Sequence, residues 1–188
     1  DHSWTVMEKY ELEKLIEEFM ADSGVHKVLH NGTFDIHFLM STKGFKTFEH
    51  CRDTKVAYYL CVTQEAEKSF RLSDLAYEMT DMGGYDKPLE DWKNNFIKEH
   101  AKDKEEKPVN EVDGSNFNYE WIPLELLHPY AAGDTDCCLR IHNILYETIK
   151  TYDKWDFLFT EFYPALTRTL ARIQSNGFMV DTEYLNGI

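Results

Sequence analysis

No pair of cysteines in this chain has the spacing of a metal site. The four residues, Cys51, Cys61, Cys137 and Cys138, form no C-x-x-C, and adjacent thiols make a poor zinc site. They read as free thiols of a reduced compartment, and so as a cytoplasmic protein. No run of about 18 apolar residues is present, which excludes a membrane span and a membrane partner of that kind. The chain opens on Asp1 with neither an initiator Met nor a signal-peptide pattern, so it reads as a piece of something longer. Positive charge is scarce, with 20 basic against 34 acidic side chains and a net charge of −14, which argues against a broad grip on nucleic-acid phosphates. Twelve of the 20 basic residues lie between 41 and 107, so any phosphate contact is local. With 43% hydrophobic and 14% aromatic residues among 188, the chain folds, as one domain and part of a second.

The periodicities predict an α/β or α+β arrangement. Residues 6–22 place Leu12, Leu15, Ile16 and Phe19 at helical spacing, with Gly24 as a stop. Residues 25–30 read as a short strand, and 34–42 as a helix with Phe34, Phe38 and Leu39 on one side. Helices follow at 53–62 and 72–80, and then M-G-G-Y-D-K-P marks a turn. Lys98 to Lys107 carries four lysines and four acids and reads as a solvated insertion. A long helix runs from Tyr130 to about Tyr152 with Pro129 at its first turn, and another ends at Asn176-Gly177.

Two clusters can carry chemistry. His30-Asn31-Gly32-Thr33-Phe34-Asp35 lies where a strand gives way to a helix, the end of a strand at which α/β proteins place ligands. Tyr130-Ala131-Ala132-Gly133-Asp134 opens the long helix, and four helical steps put the Tyr130 phenol and the Asp134 carboxylate on one face, roughly 6 Å apart along the axis. One carboxylate from each cluster is a hard-oxygen donor for divalent metal, and a phenol beside them can orient water. Phosphodiester hydrolysis uses such a set, because two cations about 3.5–4 Å apart stabilise both the attacking and the leaving oxygen. Taken singly, each group has a plainer reading: Asp35 as a helix cap, Tyr130 and Asp134 as a surface pair. His37, His128 and His142 have no metal-like spacing and are assigned to packing, and Trp92, Trp121 and Trp155 to small apolar clusters.

Order and wording together go further. N-x-x-F-D followed by Y-A-A-x-D-x-D-x-x-L-x-x-H resembles the second and third motifs of the DEDD 3′–5′ exonucleases, in their tyrosine-bearing branch, and more narrowly the proofreading domain of family A DNA polymerases. L-T-R-T-L-A-R-I-Q-S-N-G-F-M-V-D-T-E-Y-L also resembles the segment where those polymerases pass from exonuclease to polymerase domain. The resemblance implies a ribonuclease H-like fold, a mixed sheet flanked by helices. It implies Asp35 and Asp134 as metal-binding carboxylates for two Mg²⁺ or Mn²⁺ ions, and Tyr130 as the residue that positions the attacking water. Asn31 and Phe34 would border the substrate, the single-stranded 3′ end of a primer DNA. A downstream polymerase domain in the same parent chain is the implied partner. Residues 1–152 correspond to the exonuclease domain and 153–188 to the junction and the start of the polymerase domain. The charged insertion looks more like a phage-type enzyme, which would work in the host cytoplasm.

The family's first motif, D-x-E, is not found before Asn31. Asp103-Lys104-Glu105 lies in the charged insertion, and Asp181-Thr182-Glu183 lies in the junction, where Asp181 is expected to cap the next helix. The chain is therefore expected to start downstream of the first motif and of the first strands, and to show little or no nuclease activity in isolation. Two rival readings are a stand-alone ribonuclease D-like exonuclease and a non-catalytic exonuclease fold kept as a DNA-binding scaffold.

Overall fold

A computed structural model of the chain describes residues 4–62, 69–100 and 117–186. These group into two units: one from the residues up to 66 together with 145–188, the other from 67–144.

The first unit begins with α1 (Val6–Ala21), opened by a reciprocal cap in which the Thr5 hydroxyl accepts from the Glu8 N–H and the Glu8 carboxylate accepts from the Thr5 N–H. The expected apolar stripe is there, but Leu12, Leu15, Ile16 and Phe19 stay exposed, and Met20 is the residue the helix buries. Strand β1 (Lys27–Leu29) pairs in parallel with β2 (Cys51–Asp53), in the register Lys27 with Cys51 and Leu29 with Asp53. The crossover between them contains α2 (Gly32–Phe38), extended by a wider π-type turn over Leu39–Lys43 and stopped by Gly44 at φ 73°. A parallel pair needs such a crossover, and the helix fills it. Helix α3 (Thr54–Cys61) follows β2 directly.

The rest of this unit comes from the far end of the sequence. Its elements are the last turn of α6 (Leu124–Ile149), α7 (Asp153–Phe157), a π-type turn over Leu158–Phe162, α8 (Tyr163–Asn176) and α9 (Thr182–Asn186). Helix α8 packs on α2, and Ala171 shares one buried cluster with Met20, Ile36, Phe45, Phe48 and Cys51. Arg168 of α8 donates to the Phe48 carbonyl at 2.9 Å, and the Arg52 guanidinium covers the Tyr146 ring at 4.7 Å. Gly177, at φ 64°, ends α8 where expected, and the Asp181 carboxylate accepts from the Tyr184 N–H at 2.9 Å, the helix cap expected of it.

The second unit holds α4 (Leu72–Met79), α5 (Lys87–His100), a 3₁₀ turn (Tyr119–Trp121) and most of α6. Leu75, Ala76, Leu89, Ile122, Cys137 and Ile141 are its buried residues of note. Trp92 and Trp121 each stack on Phe96, at 5.0 and 5.6 Å, the apolar cluster assigned to them. His142 is buried, as packing requires. Helix α6 starts six residues earlier than the sequence suggested: Pro123 opens it, its carbonyl accepting from Leu126 and Leu127, and Pro129 sits inside. Strand β2 and helix α5 also had no counterpart in the sequence reading. The triplet Asp103-Lys104-Glu105 lies outside the described residues. All four cysteines are free thiols, and among the described residues no helix is long and apolar enough to cross a membrane.

Candidate active site

The first candidate cluster is the β1–α2 turn. Asn31 occupies the left-handed region at φ 65°, a conformation its short polar side chain tolerates, and so turns the chain sharply from strand into helix. The turn is pinned from β2. The Asp53 carboxylate, 9% exposed, accepts from the Asn31 N–H at 3.0 Å, the Gly32 N–H at 2.7 Å and the Lys55 N–H at 2.9 Å. One side chain thereby caps α3 and neutralises the first two donors of α2. Thr54 adds a second pin, donating to the Leu29 carbonyl at 3.1 Å and pairing with His30 Nδ1 at 2.8 Å.

This turn presents Phe34 and Asp35 differently. The Phe34 ring is 65% exposed, which leaves a face open for stacking. Asp35 is half-buried on the next position, and its carboxyl is held above the usual carboxylate range by burial, with the nearby Asp53 charge adding to the effect and its own backbone N–H opposing it. Among the described residues, no hydrogen bond or ion pair from another side chain reaches it. A partly desolvated carboxylate without a counter-charge is a poor choice for stability and a good one for a cation ligand.

The second candidate cluster lies on α6. Tyr130 and Asp134 stand one turn apart on one face of α6, as the four-residue spacing implied. A third group joins them that the sequence did not reveal. Tyr85, from the turn before α5, donates its hydroxyl to Asp134 and stacks its ring on Tyr130 at 6.2 Å and 22°. Room for that ring depends on Gly133, where a Cβ would lie 2.4 Å from Tyr85 Cδ2. Both phenols are pushed well above their ordinary range, first by burial and then by Asp134, so both remain protonated at neutral pH. The neighbouring acid of the motif, Asp136, is spent in an ion pair with Arg140 at 3.0 Å, which also meets Asp81 at 2.9 Å.

Asn31, Phe34 and Asp35 thus share one helix start in the first unit, and Tyr130 and Asp134 share one helix face in the second. Asp53 and Tyr85 are the supporting residues that sequence reasoning missed. An N-cap signal, Asp-Thr before a helical pattern, pointed at Asp53; nothing local points from Tyr85 to a carboxylate 49 residues away. As donors, Asp35 and Asp134 suit a hard divalent cation. Two carboxylates are a partial ligand set, and among the described residues no three His, Cys, Asp or Glu side chains converge.

A strand-to-helix turn ending in a carboxylate, and a phenol–carboxylate pair on a helix, fit the resemblance to the second and third exonuclease motifs. In agreement, the sequence model of the 3′–5′ exonuclease family matches residues 5–150, and the chain belongs to that family, in the form found in family A DNA polymerases. It is 31% identical over 183 residues to a DNA polymerase of Escherichia phage T5, a match that takes in 94% of this chain and 19% of the relative. A DNA polymerase of Bacillus phage SP01 is 26% identical over 172 residues, 92% of this chain and 17% of that one. DNA polymerase I of Pseudomonas aeruginosa is 34% identical over 69 residues, 37% of this chain and 8% of that one. The chain therefore spans less than a fifth of the length of the curated phage relatives it matches. No solved structure matches it. Family membership implies a ribonuclease H-like fold and divalent-metal dependence; the described residues, mostly helical with one two-stranded parallel sheet, are compatible with that fold.

Proposed function

We propose that this chain is the proofreading region of a longer DNA-directed DNA polymerase, removing nucleotides one at a time from the single-stranded 3′ end of a primer. The observation that carries the reading is the Tyr130–Asp134 pair on one helix face, in a chain whose family is the 3′–5′ exonucleases. Asp35 and Asp134 are the residues that would hold divalent cations, Mg²⁺ or Mn²⁺, two in the complete site. When bound, such ions offset the negative charge of the phosphodiester and make water a better nucleophile.

The chain's own residues then have distinct roles. A protonated phenol cannot act as the base, so Tyr130 works as a hydrogen-bonding group: standing one turn from Asp134, its oxygen lone pairs can accept from the attacking water. That fixes the direction of attack on phosphorus. The P–O3′ bond breaks, the 3′ oxygen takes up a proton, and a nucleoside 5′-monophosphate leaves. Phe34, exposed beside Asp35, offers a face on which an unpaired base can stack whatever its identity. Asn31 supports this by setting the turn. The few cations of the chain fit a substrate gripped at its end and not along its length. We place the exonuclease domain at residues 1–152 and the junction with the polymerase domain from 153.

The test is made in the full-length protein that carries this chain. Asp35→Ala and Asp134→Ala should each abolish trimming of a mismatched 3′ end and leave primer extension intact, and a chelator should stop trimming in the unaltered protein. Trimming that survives either substitution would sink the assignment, and joint loss of both activities would point to misfolding instead.

A further inference from the structure

We propose that Tyr85 is a positioning residue of this exonuclease site: its hydroxyl aims the Asp134 carboxylate and its ring holds the Tyr130 phenol. The inference rests on the functional reading above and adds a residue that no motif contains.

Three features of the geometry converge on it. The Tyr85 hydroxyl donates to Oδ1 of Asp134, the carboxylate proposed as a metal ligand. The same ring lies nearly parallel to Tyr130, with centroids 6.2 Å apart, so the phenol proposed to orient water rests against a fixed surface. The third feature is the space provided. With Gly133 next to Asp134, the α6 backbone comes close enough that any Cβ there would stand 2.4 Å from the Tyr85 ring. The turn that delivers Tyr85 is itself shaped by Gly84 at φ 86° and closed by the Tyr85 N–H donating to the Met82 carbonyl at 3.2 Å. A tyrosine that only filled space would need neither a bond to this carboxylate nor a glycine cut away for it.

The chemistry follows from the number of acceptor sites. A carboxylate offers about four lone-pair positions, so the Tyr85 donor restrains its rotation and still leaves positions for a cation. Hydrogen bonds to a metal-ligating side chain typically change affinity or rate by 10–100-fold when removed. The Tyr85 hydroxyl is the phenol donor to this carboxylate, so losing it leaves Asp134 freer to rotate about its χ2.

The experiment uses the full-length protein with Tyr85→Phe, Tyr85→Leu and Asp134→Ala. It measures single-turnover trimming, primer extension, Tm, and by calorimetry the component of Mn²⁺ binding that Asp134→Ala removes. Tyr85→Phe keeps the ring over Tyr130 and beside Gly133 and deletes one oxygen. The expected result is a 10–100-fold fall in the trimming rate and a comparable weakening of that Mn²⁺ component, with the KM for primer, primer extension and Tm unchanged; Tyr85→Leu loses at least as much. Wild-type trimming and Mn²⁺ binding in Tyr85→Phe would overturn the proposal while a dead Asp134→Ala left the exonuclease reading standing. Normal trimming in Asp134→Ala would remove both. Equal loss of trimming and extension with a lowered Tm would make Tyr85 a folding residue and also overturn it.

Discussion

The two acidic residues proposed as metal ligands are held in opposite ways. Asp35 in the first unit has its backbone fixed and its carboxyl left alone: Asp53 and Thr54 pin the turn that carries it, while among the described residues no other side chain bonds its oxygens. Asp134 in the second unit sits mid-helix, and the fixing falls on its carboxyl group, which the Tyr85 hydroxyl engages. The difference shows two routes to preorganisation. A residue at a strand-to-helix turn is placed by backbone hydrogen bonds made elsewhere, and a residue on a continuous helix already has its backbone placed and needs its rotamer set.

That contrast can be broken most severely at Asp53. Asp53→Ala leaves the Asn31 and Gly32 N–H groups and the cap of α3 without their acceptor, a loss of about 3 kcal/mol read by urea unfolding. Asp53→Asn, which keeps one acceptor oxygen, should lose less, and an unchanged midpoint in Asp53→Ala would show that the turn does not depend on this pin. Next comes Gly133→Ala, where the new methyl meets the Tyr85 ring and overpacking costs about 1–3 kcal/mol. Adding Tyr85→Ala removes the obstacle, so the double variant should be more stable than the sum of the two single losses predicts; strict additivity would mean the two residues do not meet. A smaller effect is expected at Asn31. Asn31→Ala should cost about 1 kcal/mol because alanine tolerates φ 65° badly, and Asn31→Gly close to nothing. Smallest of all is a chemical probe of the first core: the Cys51 thiol, 3% exposed and pushed up to about 11 by burial, should resist iodoacetamide at pH 8 until denaturant opens the unit. Rapid labelling in native buffer would show that core to be open.

Much of this was legible in the sequence, and the failures have physical causes. Helices α1, α3, α4 and α8 announced themselves by spacing and stop residues, with ends within two residues of those observed. The motif pair pointed to Asp35, Tyr130 and Asp134 as candidates, and the four-residue spacing put the last two on one helix face, where the structure has them. Strand β2 was illegible because Cys-Arg-Asp is too short to show alternation, so the parallel pairing that sets the site had no local signature. Prolines misled twice, because a proline can mark a turn, suit the first turn of a helix, or sit inside a helix. Pro88 was read as a turn and lies in the first turn of α5, and Pro129 was read as the opening of a helix that Pro123 opens. The apolar face of α1 was legible as a stripe, but a stripe does not say what covers it, and within the described residues it stays exposed. Tyr85 was out of reach for a different reason, since its partner is long-range and its evidence, the missing Cβ of Gly133, is a matter of shape.

The packing of α8 on α2 bears on how the molecule could be divided. Residue 152 looks like a natural place to cut, just past the last helix of the recognised motif. A fragment ending there would forfeit Ala171 from the cluster around Ile36 and the Arg168 bond to Phe48, opening to water the underside of the very helix that carries Asp35. Anyone preparing the domain on its own should carry the chain through Gly177, because the floor beneath the turn that carries Asp35 is laid by sequence that reads as belonging to its neighbour.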